Sequence, residues 1–224
     1  MAVRIVTIDE VAADRADAVV VIDVLRAFTT APWCWERGAT AILLAGSVEQ
    51  ALDARAGQHP GALLLKDGAP DPRFELVNSP ALVQQADLAG RTVIQQTTNG
   101  TRGAFAAAGR PLVPCAGFVT ASATVRVLDR SGADDVALVV TGGDEDLALA
   151  ELILARLDRG VVDPTPFLDR ARRSAAACEL ERLAQRDDHP GIHPDDIELC
   201  LELDRFATVP RAAPDGDLLR LVPG

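Results

Sequence analysis

Apolar residues fall in short runs separated by polar stretches rich in glycine and proline. The runs at 3–8, 18–24, 41–45, 62–65, 92–96, 112–115 and 136–141 predict strands. Two of them, around AVVVI and VALVV, lack polar alternation, the mark of strands covered on both faces. The segments between carry helix punctuation. Ser47-Val48-Glu49-Gln50 reads as a capping box opening a helix towards Gly57. Ser79-Pro80 sets a cap before a proline at the first helical position. The stretches 101–108, 121–130 and 145–159 predict helices that stop at Gly109, near Gly132 and at Gly160. In the last of these, Leu147, Ala148, Ala150, Leu152, Ile153, Leu154 and Leu157 cover more than a narrow stripe, so that helix should be largely buried. Beyond Gly160 the pattern predicts a helix over 167–185, a polar loop over 186–194 and a last helix over 195–206. Strand–helix alternation predicts an α/β fold, three layers α/β/α with a mixed, mostly parallel sheet. We read 1–224 as a single domain, with the break near 109–114 as the place where two lobes would divide.

Composition narrows the function more than the fold. At 224 residues, 48% of them apolar, the chain can bury a full core. No run approaches the roughly 18 apolar residues of a membrane helix, and the first residues, MAVRIVTIDEV, lack a basic stretch followed by an apolar one. A cytoplasmic protein without membrane partners is the expectation. Lys plus Arg number 22 and Asp plus Glu 33, giving a net charge of −11. That field repels phosphate backbones and argues against nucleic acid as a partner. A local nest of cations and amides still admits a small anionic substrate. Lys66 stands out as the lone lysine among the basic residues. Cys34, Cys115, Cys178 and Cys200 form no C-x-x-C pair and no ligand spacing with His59, His189 or His193. Buried, inert thiols and surface histidines are expected, without zinc or disulfides. A homodimer is the default for the oligomeric state.

Four segments carry candidate chemistry. In V-I-D-V-L-R-A-F-T-T, Asp23 sits at the carboxyl end of a buried strand, where open α/β sheets bind ligands. Arg26 offers a fork of donors for an oxyanion, with Thr29 and Thr30 beside it; an Asp–Arg helix cap is the plainer alternative. In Q-T-T-N-G-T-R, Thr97, Thr98, Asn99, Gly100 and Thr101 offer hydroxyls and helix-start amides as an anion nest, or form an ordinary turn. In F-E-L-V-N-S-P, Asn78 and Ser79 cap the next helix. In T-G-G-D-E-D-L-A, three carboxylates open a helix whose dipole favours them, or hold a hard cation such as Mg²⁺. The Gly142–Asp146 run is similar to a diguanylate cyclase signature, but links a strand to a helix and has Asp146 where a phenylalanine belongs. The run into Asp23 is similar to the start of haloacid-dehalogenase phosphatases, but Leu25 replaces their second aspartate.

Taken in order, D-V-L-R-A-x-T-T, N-S-P, T-T-N-G-T, C-A-G-F and E-D-L-A resemble the 2-phosphosulfolactate phosphatase family from about Ile22 to Leu154. D-I-E-L-C-L-E-L-D-R-F-A-T-V-P resembles its C-terminal part. The resemblance implies a Mg²⁺-dependent α/β phosphatase that converts 2-phospho-3-sulfolactate to 3-sulfolactate and phosphate, a step towards coenzyme M in some organisms. Carried onto this chain, Asp23, Glu145 and Asp146 would hold Mg²⁺, with Asp23 and Arg26 catalytic. Thr29, Thr30, Lys66, Asn78, Ser79, Thr97, Thr98, Asn99, Gly100 and Thr101 would bind the small polyanionic substrate. The chain departs from the family before N-S-P, where Gly-Glu-Arg-Gly-Gly is replaced by L-L-L-K-D-G-A-P. Lys66 then stands in for the arginine, and Asp67 for the glutamate only if the register slips. Loss of that glutamate leaves a second reading, a non-catalytic binding protein for a phosphorylated or sulfonated metabolite.

Overall fold

A computed structural model describes residues 1–11, 13–186, 189 and 191–224. In chain order the elements are β1 (Ala2–Thr7), α1 (Ile8–Val11), β2 (Ala18–Ile22), α2 (Ala27–Glu36), β3 (Ala41–Leu44), α3 (Val48–Ala56), β4 (Leu63–Lys66), β5 (Leu76–Val77), α4 (Pro80–Val83) and β6 (Thr92–Gln96). They continue with α5 (Gly100–Ala106), β7 (Cys115–Ala116), a 3-10 turn (Phe118–Thr120), α6 (Ala121–Ser131), β8 (Asp135–Val140) and α7 (Asp144–Arg159). The last are α8 (Thr165–Arg172), α9 (Ala175–Ala184), α10 (Asp196–Cys200), β9 (Pro210–Asp215) and β10 (Leu218–Pro223). Among the described residues, no helix is long and apolar enough to cross a membrane.

The fold is α/β. The strands form two hydrogen-bonded sheets, where one was expected. The first, β1-β8-β2-β7, is wholly parallel. The second, β5-β4-β6-β3-β10-β9, is parallel until the antiparallel β10 and β9 close it. Their neighbouring edges touch at one bridge, Pro114 to Arg211, beside a hydrogen bond from Ala212 N–H to the Val113 carbonyl (2.9 Å). Proline at 114 has no N–H to offer, which limits pairing at this junction. Phe28, Ala31 and Cys34 of α2 and Ala104 of α5 cover one face of both sheets, against Val21, Val139, Ile42 and Leu44. On the opposite face Leu128 of α6 and Leu149, Leu152 and Ile153 of α7 meet Val20, Ile22 and Leu138. Ala51 of α3 meets Leu43, Leu64 and Ile94 there. Each fully buried aliphatic side chain contributes about 1.5–3 kcal/mol, and every residue of β2 is buried, as its unbroken apolar run requires.

The C-terminal third departs from the periodic reading. The helix expected over 167–185 is two helices, because Ser174 is extended (ψ 155°) and its hydroxyl caps Ala177 N–H. The last helix stops at Cys200 rather than 206. Beyond it, Asp204 (φ 58°) donates its N–H to the Phe118 carbonyl, and its carboxylate accepts from Ser122 and Arg156. Tertiary partners therefore take the groups that a longer helix would use. The hairpin β9–β10 was not expected; Gly216-Asp217, a two-residue loop with Gly216 at φ 60°, is the turn signal that marks it. The strand expected at 112–115 is shifted to Cys115–Ala116, and β1 gives its final residue to α1. At Ser47 half of the capping box forms: Ser47 Oγ accepts from Gln50 N–H, but the Gln50 side chain reaches Gly46 N–H instead. Cys178 is exposed, unlike the other three cysteines, because α9 turns that position outward. Positions 187, 188 and 190 of the expected polar loop lie outside the described residues.

Candidate active site

Parallel strands bring their carboxyl ends to one edge. The register pairs Ile22 with Val140 and with Ala116, so Asp23 emerges between Thr141 and Gly117. In the second sheet Lys66 pairs with Gln96, so the loops after β4 and β6 leave side by side. The two sets of loops meet at Asp23. A Cβ added at Gly100, after β6, would lie 2.7 Å from Asp23 Oδ2 and 2.6 Å from the Ala27 Cβ. Glycine is therefore required at 100 for this approach.

Three carboxylates gather here. Asp23 is buried, and its Oδ1 accepts from Ala27 N–H (3.0 Å). Burial pushes its carboxyl up to about 6; Asp67 and Glu145 push the same way, against the amides of Ala27 and Gly100. Asp146 accepts at Oδ1 from Val24 N–H (2.8 Å) and at Oδ2 from Gly142 N–H (2.7 Å). Burial raises its carboxyl well above the usual range, and Asp23 adds to the rise. Glu145 is buried, with Oε1 accepting from Gly143 N–H (3.1 Å) and Oε2 buried without a hydrogen-bond partner. Among the described residues, no three His, Cys, Asp or Glu groups stand in a ready-made metal cage. The donor chemistry nevertheless fits a Mg²⁺ ion. That ion takes one or two carboxylates and completes its shell with water and substrate oxygens. Asp23 and the unpartnered Glu145 oxygen would supply the carboxylates, while Asp146 ties the Val24 and Gly142 backbones.

The remaining predicted residues divide by where their polar atoms point. Arg26 is buried; its Nη1 donates to the Asp196 carboxylate and to the Gly191 carbonyl (3.1 Å). It also lines a cavity of about 360 Å³ with Gly68, Ala69, Pro70 and Ile192. Thr29 and Thr30 turn inward, their hydroxyls donating to the Val24 and Arg26 carbonyls (3.0 and 2.9 Å). Thr97 and Thr101 close on each other: Thr97 N–H reaches Thr101 Oγ1, and Thr101 N–H reaches Thr97 Oγ1. Thr98 and Asn99 are exposed at the loop tip. Thr98 donates its N–H and hydroxyl to the Asp67 carboxylate (2.8 and 3.1 Å). Lys66 curls its ammonium onto the carbonyls of Asp67 and Ala69. Asn78 is buried with Oδ1 unpartnered, and Ser79 caps Leu82 N–H while donating to Asp196 (2.6 Å).

The structure thus unites Asp23, Gly100, Glu145 and Asp146 at one point, and Arg26 and Ser79 at Asp196. Asp196 and the buried Gln95, which donates to the Ala27 carbonyl (3.0 Å), were not singled out from sequence. Position 196 lay inside the D-I-E-L-C segment, the one sequence signal available for it. Asp67, considered only as a stand-in, faces both Thr98 and Asp23. Of the histidines, His189 lines the Arg26 cavity and His193 donates its N–H to Asp196 (3.0 Å).

Comparison with known proteins agrees over nearly the whole chain. A family model described as 2-phosphosulpholactate phosphatase matches residues 5–214. A Parasynechococcus marenigrum protein named probable 2-phosphosulfolactate phosphatase is 33% identical over 230 residues, covering 93% of this chain and 95% of its own. A Thermus thermophilus protein of the same name is 33% identical over 213 residues, with 87% of each chain covered. One from Bacillus subtilis is 30% identical over 192 residues, covering 83% of this chain and 82% of its own.

Proposed function

The chain belongs to the 2-phosphosulfolactate phosphatase family, and from that premise we propose that it is a phosphoric monoester hydrolase acting on 2-phospho-3-sulfolactate with Mg²⁺. The observation that carries this reading is the meeting of Asp23, Glu145 and Asp146 with the Gly100 loop. Water attacks phosphorus, the ester P–O bond breaks, and the hydroxyl of 3-sulfolactate leaves with a proton. Asp23 and Glu145 hold the cation, and Asp146 fixes the backbone that carries Asp23. Mg²⁺, when bound, neutralises phosphoryl charge and orients the water. Arg26 binds oxygens of the acid, its carboxylate or sulfonate.

The test is phosphate release from 2-phospho-3-sulfolactate with Mg²⁺ and with EDTA, beside a panel of phosphorylated hydroxy acids. Mg²⁺-dependent release from the sulfonate supports the whole reading. Turnover of a carboxylate analogue alone supports the chemistry and moves the specificity. Saturable binding without release overturns hydrolysis and favours a metabolite-binding protein.

A further inference from the structure

We propose that Asp196 is a positioning residue that sets the direction of Arg26 in the site; the inference rests on Arg26 binding substrate oxygens, as proposed above. Asp196 opens α10, lies 170 residues from Arg26 and 117 from Ser79, and is wholly buried. Its two oxygens accept four hydrogen bonds. Oδ1 takes Ser79 Oγ (2.6 Å) and Ala81 N–H (3.2 Å). Oδ2 takes His193 N–H (3.0 Å) and Arg26 Nη1. One carboxylate therefore joins the loop after β2, the N-S-P loop and the start of α10.

A buried charge persists only when paired and hydrogen-bonded, so this pair holds the guanidinium plane firmly. The grip is at one end. Nη1 is engaged by Asp196 and Gly191, while the structure gives Nε and Nη2 no hydrogen bond among the described residues. Arg26 lines the cavity beside Gly68 and Ile192. A planar fork held at one corner presents its other edge to the carboxylate or sulfonate of the substrate, the anionic group that is not transferred, in a fixed orientation. The same carboxylate holds Ser79, and so sets where the buried, unpartnered Asn78 Oδ1 stands relative to Arg26. Asparagine at 196 would keep the shape but turn an amide N–H₂ towards two existing donors, releasing either Arg26 or the N-S-P loop.

The experiment compares wild type, Asp196→Asn, Arg26→Gln and the pair Arg26→Gln/Asp196→Asn. The substrates are 2-phospho-3-sulfolactate and phenyl phosphate, which lacks a second anionic group; thermal unfolding serves as the control for folding. Asp196→Asn should raise KM for 2-phospho-3-sulfolactate at least about tenfold, while kcat changes by less than about threefold. Its kcat/KM on phenyl phosphate should change by less than about threefold. The pair should match Arg26→Gln alone, because Asp196 acts through Arg26. That comparison stands even where the single Asp196→Asn fails to fold, since the pair removes both buried charges together. Parallel losses on the two substrates, wild-type kinetics in Asp196→Asn, or a pair clearly worse than Arg26→Gln overturns the inference alone. No release from 2-phospho-3-sulfolactate by the wild type overturns the functional reading and this inference together.

Discussion

Asp23 and Asp196 are both buried carboxylates near the carboxyl edge of the strands, yet only Asp196 faces a cation. Asp196 receives a guanidinium, a hydroxyl and two amides. Asp23 receives amides from Ala27 and Gly100 and faces the acidic neighbours Asp67 and Glu145. Burial therefore has opposite consequences. Where positive and polar partners converge, a carboxylate becomes a strut whose charge is neutralised inside the protein. Where negative neighbours converge, the carboxylate is left under-compensated, and a proton or an added cation relieves it. The strut belongs to the architecture, and the under-compensated group is the one to which the proposed mechanism gives the chemistry.

The sharpest way to break this contrast is to neutralise each carboxylate. Asp23→Asn should lower turnover by at least ~10³-fold, as for loss of a group acting only at the reacting centre; near-wild-type steady-state rates would remove Asp23 from the mechanism. Asp196→Ala should instead cost about 3–5 kcal/mol of stability, because it leaves a buried arginine unpaired; an unchanged denaturant midpoint would show that the pair is no strut. The two should also differ with pH. Asp23 has a folded pKa of about 6, above its ordinary 3.8, so the folded state keeps the proton longer than the unfolded chain does. Its contribution favours folding below the unfolded value and is lost as pH rises through about 6. In EDTA, Asp23→Asn should become more stable than wild type as pH passes from 4 to 7, by up to ~3 kcal/mol. A constant gap in unfolding free energy across that range would contradict the assignment.

Smaller changes sharpen the contrast. Gly100→Ala should reduce kcat by about 10–100-fold with little change in far-UV circular dichroism, because its methyl would press on Asp23 and Ala27. Thr30→Val should leave kcat and KM within about twofold and cost about 1 kcal/mol, since its hydroxyl serves the Arg26 carbonyl. A large KM effect in Thr30→Val, measured with 2-phospho-3-sulfolactate, would return that hydroxyl to the substrate.

Much of this was legible before any coordinates. The unbroken run into Asp23 marked a strand buried on both faces, and hence a carboxylate at the carboxyl edge of the sheet. Ser79 and Pro80 marked a helix start, and Gly132, in the left-handed region, a helix stop. These are local signals, in which a side chain satisfies or limits backbone within a few residues of itself. The threonines show where local reading runs out. Thr29, Thr30, Thr97 and Thr101 sit in the right loops, but their hydroxyls bond to nearby backbone, an option open to any threonine at a helix start. The β9–β10 hairpin was overlooked although Gly216-Asp217 announced it, because its proline-bearing first strand weakens the alternation.

The sequence alone determined the α/β class, the buried central strands, the helix caps and the acidic segments at strand ends, because periodicity and capping act over a few residues. Only the tertiary structure decided that Asp23 meets Gly100 and Glu145, that Asp196 grips Arg26 across 170 residues, and that two sheets meet at Pro114 and Arg211. Those outcomes follow from register and close packing between distant segments, where the partner of a buried polar group is chosen by whichever donor or acceptor the whole fold brings within about 3 Å.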